Sequence, residues 1–273
     1  MTPAEYDVFR DNVALLAPRS FELSTGLGYD KNAGLIQSDR VLSGFVAGRV
    51  GVYDGVELGV TAPFYFSDRV TNLGFGQVNE GIVRSLGDVN AQITALVFKE
   101  TPELPAVNIS LGATFPTGSS PYRFSVNYKA SGNPIDPFFG HESLGEWGTN
   151  VGVEFSKIVD PLVLFAGFGA NYTWNQRIQG HYLVWPVSWI YNAGMAFAVS
   201  DKTTLGFNVS GSFQGNLLVD GAAAQGTGLE PILARFSLVQ RIAQDTYLEP
   251  SVAIGISKDA PNLSLRAALR RRF

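Results

Sequence analysis

The sequence alternates apolar residues with small or polar ones over most of its length. Between 105 and 116 the apolar set is Val107, Ile109, Leu111, Ala113 and Phe115. Between 162 and 176 it is Leu162, Leu164, Ala166, Phe168, Ala170, Tyr172 and Trp174. A period of two residues is the pattern of a β-strand with one apolar face. The chain is therefore predicted to be all-β.

Twelve segments carry this alternation, and each has the roughly 9–11 residues that a tilted strand needs to cross a bilayer. They lie at 21–30, 41–53, 56–66, 88–99, 105–116, 146–158, 162–176, 186–200, 203–216, 231–243, 246–258 and 262–273. No apolar run reaches the ~18 residues of a membrane-spanning helix. If the segments cross a membrane, they do so as strands.

The connections between these segments alternate in length. Short turns, such as Asp54-Gly55 and Asp201-Lys202, follow every second segment. Four of the six intervening loops are long and polar, and the first and last, 31–40 and 259–262, are of modest length. The long loops are 67–87, 117–145, 177–185 and 217–230. Short turns on one rim and long loops on the other are typical of outer-membrane barrels. The pattern predicts a 12-stranded antiparallel transmembrane β-barrel over 20–273, with both termini on the periplasmic side. A soluble β-sandwich or barrel is the alternative, and its apolar residues would face inward.

The composition limits the partners of the chain. Charged residues make up 16%, below the roughly 25% of a typical soluble domain. The net charge of −4 provides no basic surface for nucleic acid, and the absence of cysteine excludes disulfides and thiolate metal sites. The lipid bilayer is the predicted partner, and no cofactor is expected.

Aromatic residues fall at the ends of the predicted strands. Trp147, Trp174, Trp185 and Trp189 lie near the long-loop rim, and Phe273 lies at the short-turn rim. Amphipathic aromatic rings favour the two membrane interfaces. These five residues are predicted to belong to aromatic girdles.

Residues 1–19 depart from the alternation and show helical spacing. The apolar face consists of Tyr6, Phe9, Val13 and Leu16, and the polar face includes Asp7 and Asp11. Pro3 suits the first position of a helix, and Pro18 ends the pattern. We expect a short helix that enters the lumen from the periplasmic side as a plug, with inward glycines such as Gly112 and Gly206 leaving room for it. A disordered lead-in is the alternative, since isolated helices of this length are marginal.

Charged residues with lumen parity form a second predicted feature. They are Glu22, Arg235, Arg241, Glu249, Arg266 and Arg270. Alternating signs on neighbouring strands favour a self-neutralising ladder that stiffens the wall. A second interpretation is a basic wall that docks the acidic N-terminal helix or steers an anionic solute.

Enzymatic activity is not expected. His141-Glu142-Ser143 resembles the H-x-S spacing of outer-membrane phospholipases, and Asn150 follows it. However, Leu144 begins a tripeptide that replaces the Asn-Gly-Arg of that family, and Asn150 has the opposite strand parity. Two histidines without cysteine also provide no convincing metal site.

The helical segment "PAEYDVFRDNVALLAP" before the first strand, together with a final strand ending in Phe273, resembles the outer-membrane transporters of functional-amyloid (Fap) secretion systems. Those transporters are related to the MetA-like barrels associated with phenol-degradation operons. The resemblance implies a homotrimer, a lumen plug, an upstream periplasmic coiled-coil region and the export of an unfolded amyloid-type polypeptide passenger. Passive uptake of small hydrophobic or aromatic compounds remains the alternative function.

Overall fold

The structure is a computed structural model that describes residues 15–33, 37–72, 77–118, 145–178 and 180–273. Within these ranges the chain forms seventeen β-strands. They are β1 (Phe21–Ala33), β2 (Gln37–Tyr53), β3 (Val56–Asn72), β4 (Gln77–Leu86), β5 (Val89–Phe98), β6 (Ala106–Phe115), β7 (Gly148–Val159), β8 (Leu162–Thr173), β9 (Gln176–Ile178), β10 (His181–Val184), β11 (Ser188–Ser200), β12 (Thr203–Phe213), β13 (Leu218–Val219), β14 (Ala222–Ala223), β15 (Ile232–Ala243), β16 (Thr246–Gly255) and β17 (Leu263–Arg272). No helix in the described ranges is long and apolar enough to cross a membrane.

Thirteen of these strands form one antiparallel sheet that closes on itself. β1 pairs with β2 on one side and with β17 on the other, and β2 pairs in turn with β3. β4 and β5 occupy a single position in the ring, because β3 pairs with β5 through Val56–Thr61 and with β4 through Phe64–Asn72. Across the described residues the predicted 12-stranded closed barrel is therefore confirmed, with its fourth wall strand interrupted at 87–88.

The seam between the first and last strands is fully hydrogen-bonded at its lower end. The backbone N–H of Phe273 donates to the carbonyl of Phe21 at 2.7 Å, and the N–H of Phe21 donates back at 3.1 Å. Their rings lie 6.1 Å apart. Because no water is available in the bilayer core, such closure satisfies backbone groups that an open edge would leave unpaired.

The apolar set of each wall strand points outward. Leu111 is 58% exposed on the outer face, whereas Asn108 on the same strand is only 6% exposed and faces the interior. A soluble barrel would bury its leucines and valines, but here they form the outer surface. This arrangement excludes the soluble alternative and places the outer face in lipid.

Side chains on neighbouring strands cover many of the wall glycines. A Cβ atom at Gly26 would lie 2.5 Å from the ring of Phe45, its register partner on β2. At Gly112 it would lie 2.5 Å from Asn150. The expectation that inward glycines leave free space is therefore wrong at these positions, since cross-strand partners fill it.

Two regions predicted as loops contain strands. β3 and β4 extend through much of 67–87, and β9, β10, β13 and β14 form a separate four-stranded sheet between 176 and 223. These segments lie on the long-loop side of the barrel. The apolar alternation that identifies a membrane strand is required only where a strand faces lipid, so it does not identify strands outside the bilayer.

The assignment of faces predicts how the wall tolerates charge. Leu111→Arg places a cation near the middle of β6 on the lipid side and should cost about 2–4 kcal/mol. Ser110→Arg, one residue earlier, points into the lumen and should cost far less. Urea unfolding from phospholipid vesicles, followed by tryptophan fluorescence, measures both variants. Equal losses of unfolding free energy would contradict the assignment.

Candidate transport lumen

Described residues line three connected cavities in the barrel interior. The lower cavity, toward the short-turn rim, has a volume of about 420 Å³; the central cavity has about 580 Å³ and the upper cavity about 350 Å³. Glu154 lines both the lower and central cavities, Asn90 lines the lower and upper ones, and Tyr65 lines the central and upper ones. The shared lining residues make the three spaces one lumen.

A network of ion pairs lies at the lower end of this lumen. Its hub is Arg49, whose guanidinium contacts Glu22 at 2.6 Å and Glu57 at 3.1 Å. Arg272 contacts the second oxygen of Glu22 at 3.2 Å. Arg270 extends the network, which we call the charge network. Its members are Glu22, Arg49, Glu57, Glu249, Arg270 and Arg272.

The register of the strands explains why these groups meet. Glu22 lies opposite Arg49 on β2 and opposite Arg272 on β17. Glu22 is 2% exposed, so its carboxylate needs cationic partners to offset the loss of hydration. Counted over the described residues, the network contains three arginines and three glutamates, whose formal charges cancel.

The six lumen charges singled out from the sequence are distributed between different environments. Glu22, Glu249 and Arg270 belong to the charge network, with Arg270 contacting Glu249 at 2.6 Å. Arg266 lies higher and pairs with Asp30 at 3.7 Å. Within the described ranges, the remaining two, Arg235 and Arg241, form no ion pair. The six therefore do not form one continuous ladder.

Strand parity places Arg49 in the lumen but does not identify it as the hub of the charge network. The signal that would have found it is the β1–β2 hairpin, which brings Glu22 opposite Arg49 once the register is known. Strand parity alone places a charge in the lumen but does not give its level along the barrel axis.

The described N-terminal segment enters the lumen. The backbone N–H of Leu16, which is 2% exposed, donates to the Glu57 carboxylate at 3.1 Å. A Cβ atom at Gly51 would collide with the carbonyl of Ala17, so glycine permits this close approach to β2. Leu15 lines the lower cavity. Leu15 and Leu16 therefore lie at the lower end of the lumen.

Most of the predicted plug helix lies outside the described residues. This applies to Tyr6, Asp7, Phe9, Asp11 and Val13. Leu16 is described, and it precedes a turn at Pro18 and Arg19.

Aromatic side chains ring the outer face near the long-loop rim. Trp147 and Trp174 are about half exposed with ring centroids 6.2 Å apart, and Trp189 stacks on Phe168 at 5.6 Å. Phe273 is 62% exposed at the opposite rim. These positions suit the two interfaces of a bilayer.

Trp185 corrects the predicted girdle, because it is only 3% exposed. It packs with Leu183 and Leu217 in the small sheet formed by β9, β10, β13 and β14. The reason is local: β10 folds back on β9 and pairs with β13, and the apolar faces of these hairpins bury the indole.

Asp220 holds the turn between β13 and β14. The backbone N–H of Tyr182 donates to its carboxylate at 2.7 Å, and His181 Nδ1 lies 2.6 Å from the other oxygen. These contacts, the Tyr182 hydrogen bond first, lower the pKa of Asp220. Positive φ angles at Asp220 (51°) and Gly221 (84°) fit a tight hairpin turn.

The residues considered for lipid hydrolysis do not form a described site. His141 and Ser143 lie outside the described residues, and Asn150 faces the lumen beside Gly112. Among the residues that the structure describes, no cluster of histidine and carboxylate side chains could hold a metal ion.

No protein-family model matches the sequence. Solved structures with a similar fold include the COG4313 outer membrane channel from Pseudomonas putida F1, with a TM-score of 0.73 and 13% identity over 95% of this chain and 97% of that one. The translocator domain of autotransporter NalP from Neisseria meningitidis gives a TM-score of 0.54 at 11% identity, over 100% of this chain and 97% of that one. The NanC porin gives 0.53 at 10% identity, over 91% and 98% of the two chains. The fold is that of a bacterial outer-membrane β-barrel.

The charge network predicts that replacing a partly buried arginine lowers the unfolding free energy much more than replacing an exposed lysine. Arg49→Met leaves Glu22 and Glu57 without their shared cation and should cost about 3–5 kcal/mol. Lys99→Met breaks an exposed pair with Asp54, 3.2 Å apart, and should cost at most about 1 kcal/mol. Unfolding free energies from vesicles measure both. A small effect at Arg49 would show that the network adds little stability.

Proposed function

We propose that this protein is a passive outer-membrane channel for small hydrophobic or aromatic compounds. The observation that supports this proposal best is the size and lining of the lumen. Its cavities of 350–580 Å³ fall in the range of about 300–1,000 Å³ that is usual for small-molecule sites. Apolar rings line the central cavity, where Phe45, Tyr65 and Phe165 project inward.

Lumen-facing aromatic rings are the specific feature behind this proposal. The inside of an outer-membrane barrel is ordinarily polar, so an apolar ring there needs an explanation. Phe45 covers Gly26 and Phe165 covers Gly194, each on a neighbouring strand. Each ring therefore lies against the wall and provides apolar surface without standing across the path. The similar Pseudomonas putida protein, described as a channel, is in keeping with this proposal.

Export of an unfolded amyloid-type polypeptide stays a prediction of the family resemblance, and so does the homotrimer. The likeness to an autotransporter translocator domain concerns the fold. A polypeptide passenger would have to pass the charge network and the segment around Leu16, both at the lower end of the lumen. A small solute needs less space than a polypeptide to pass these groups. The geometry of the lumen therefore favours the uptake of small compounds over the export of a polypeptide.

The proposed channel includes a gate formed by the N-terminal residues 1–14. This proposal is supported by the described residues that follow the segment, since Leu15 lines the lower cavity and the Leu16 N–H donates to Glu57. The acidic side chains Asp7 and Asp11 would find a cationic partner in Arg241, which forms no ion pair with another described residue.

Uptake is tested with the purified protein in vesicles whose outer leaflet is lipopolysaccharide, which is a poor solvent for apolar solutes. We expect faster entry of benzyl alcohol into these vesicles than into protein-free ones. Glycerol serves as a polar solute, and a fluorescently labelled unfolded polypeptide tests the export function. Equal benzyl alcohol entry with and without the protein would overturn the proposed function.

The gate is tested by deleting residues 1–14 and recording conductance in planar bilayers. The deletion keeps Leu16 and its hydrogen bond to Glu57, so the wall should remain intact. Conductance should rise, because the proposed gate is removed. Deletion of the upper hairpin residues 221–223, far from the lower cavity, is the control. Unchanged conductance after removal of 1–14 would refute the gate.

A further inference from the structure

One side of the central cavity is basic, because its described arginines outnumber the carboxylates that pair with them. Arg235 and Arg266 line it from β15 and β17, with β16 between them. Among the described carboxylates, Asp30 is the one that forms an ion pair with either arginine, and it reaches Arg266 only at 3.7 Å. Glu154 lines the same cavity from β7, on the opposite side of the ring. Two guanidinium groups therefore share one nearby carboxylate.

The neighbouring acidic group does not remove this imbalance. Glu249 also lines the central cavity, but Arg270 holds it at 2.6 Å. A guanidinium has five N–H donors, and one contact to Asp30 leaves most donors of Arg266 available. The side chain of Arg266 is 47% exposed to the lumen, which makes it accessible to a solute.

The stem of Arg266 leans across β1 toward β2. A Cβ atom at Gly28, its register partner on β1, would lie 3.3 Å from Arg266 Cγ and 2.6 Å from the hydroxyl of Ser43. Because residue 28 is glycine, the arginine stem passes over this strand without a clash. The guanidinium lies over β1, with Nη2 3.7 Å from Asp30, which is two residues from Gly28 toward the long-loop rim.

Phe45 provides an apolar surface next to this basic group. It is two residues along β2 from Ser43, toward the short-turn rim, and its ring lies over Gly26. Strand spacing puts β17 and β2 about 10 Å apart across β1, a span that the leaning arginine shortens. A flat ring against Phe45 would thus hold a substituent within reach of Arg266.

We propose that the central cavity binds aromatic carboxylates, an inference that rests on the proposed transport of small solutes. The carboxylate of the solute pairs with Arg266, whose planar fork matches its two oxygens, and Arg235 adds a second positive charge. The aromatic ring packs against Phe45. The site selects anions with a flat apolar body over neutral aromatic compounds and over small hydrophilic anions.

Block of the ion current through the full chain in planar bilayers tests this site, with benzoate, acetate and benzyl alcohol as probes. Benzoate should reach half-block at a concentration roughly tenfold to a hundredfold lower than acetate, because only benzoate makes both contacts. Arg266→Gln should raise the half-blocking benzoate concentration roughly tenfold or more. Phe45→Leu should raise it a few-fold, about the contribution of an aromatic pair.

Matched controls separate binding from folding. Lys99→Gln removes an exposed cation at the short-turn rim and should leave benzoate block unchanged. Arg266→Lys keeps the charge but loses the fork, so its block should fall between those of the parent and Arg266→Gln. Equal block by benzoate and acetate in the parent, or parental block in Arg266→Gln, would overturn the site. Arg266→Gln should still admit benzyl alcohol at the parental rate. If benzoate blocks the parent as expected but the parent does not speed benzyl alcohol entry, the proposed function is overturned and the binding site is not.

Discussion

Every wall strand depends on the seam between β1 and β17. In hydrocarbon, an unpaired N–H or carbonyl group costs several kcal/mol, so a sheet can span a bilayer only when its first and last strands pair. Ten residue pairs, from Glu22↔Arg272 to Lys31↔Leu263, close this seam. The same register decides which charges meet in the lumen, because it places Arg272 and Arg270 at the level of Glu22. The register that closes the backbone therefore also brings the members of the charge network together.

Closure also frees the inside of the barrel from the need for an apolar core. Large apolar side chains lie on the outer face, where lipid covers them. The inner face can therefore contain ion pairs, amides and glycines. Fixed strand spacing means that a glycine on one strand leaves a gap that a side chain on the next can fill. Phe45 over Gly26 and Asn150 over Gly112 show an apolar and a polar version of this packing. The Arg266 stem over Gly28 is a third version, and here the gap directs a charged group toward a cavity.

The sequence was informative wherever lipid imposes a rule. Alternation predicted the strands around Leu111 and Leu205, the short turns and the closed barrel, because each residue in those segments must face either lipid or lumen. It failed where that rule ends. The extension of β3 to Asn72 and the burial of Trp185 depend on contacts made outside the bilayer, between loops distant in the chain. The hub at Arg49 was missed for a related reason, since parity gives the face of a residue but only the register gives its level.

The lumen combines two tasks that make opposite physical demands. Rigidity comes from the lower end, where buried Glu22 and Glu57 hold Arg49 and where Leu16 is fixed by a hydrogen bond. Binding of a passing solute requires the opposite, namely side chains that are accessible from the lumen and whose hydrogen-bond donors are not all paired. Those lie higher, at Arg235 and Arg266, where Asp30 is the one described carboxylate that pairs with either guanidinium group. The separation of satisfied and incompletely satisfied charges along the axis lets the wall stay closed and stable while the cavity above it remains able to exchange partners. A solute that supplies both an anion and a flat apolar surface is the one that such a cavity would favour over water.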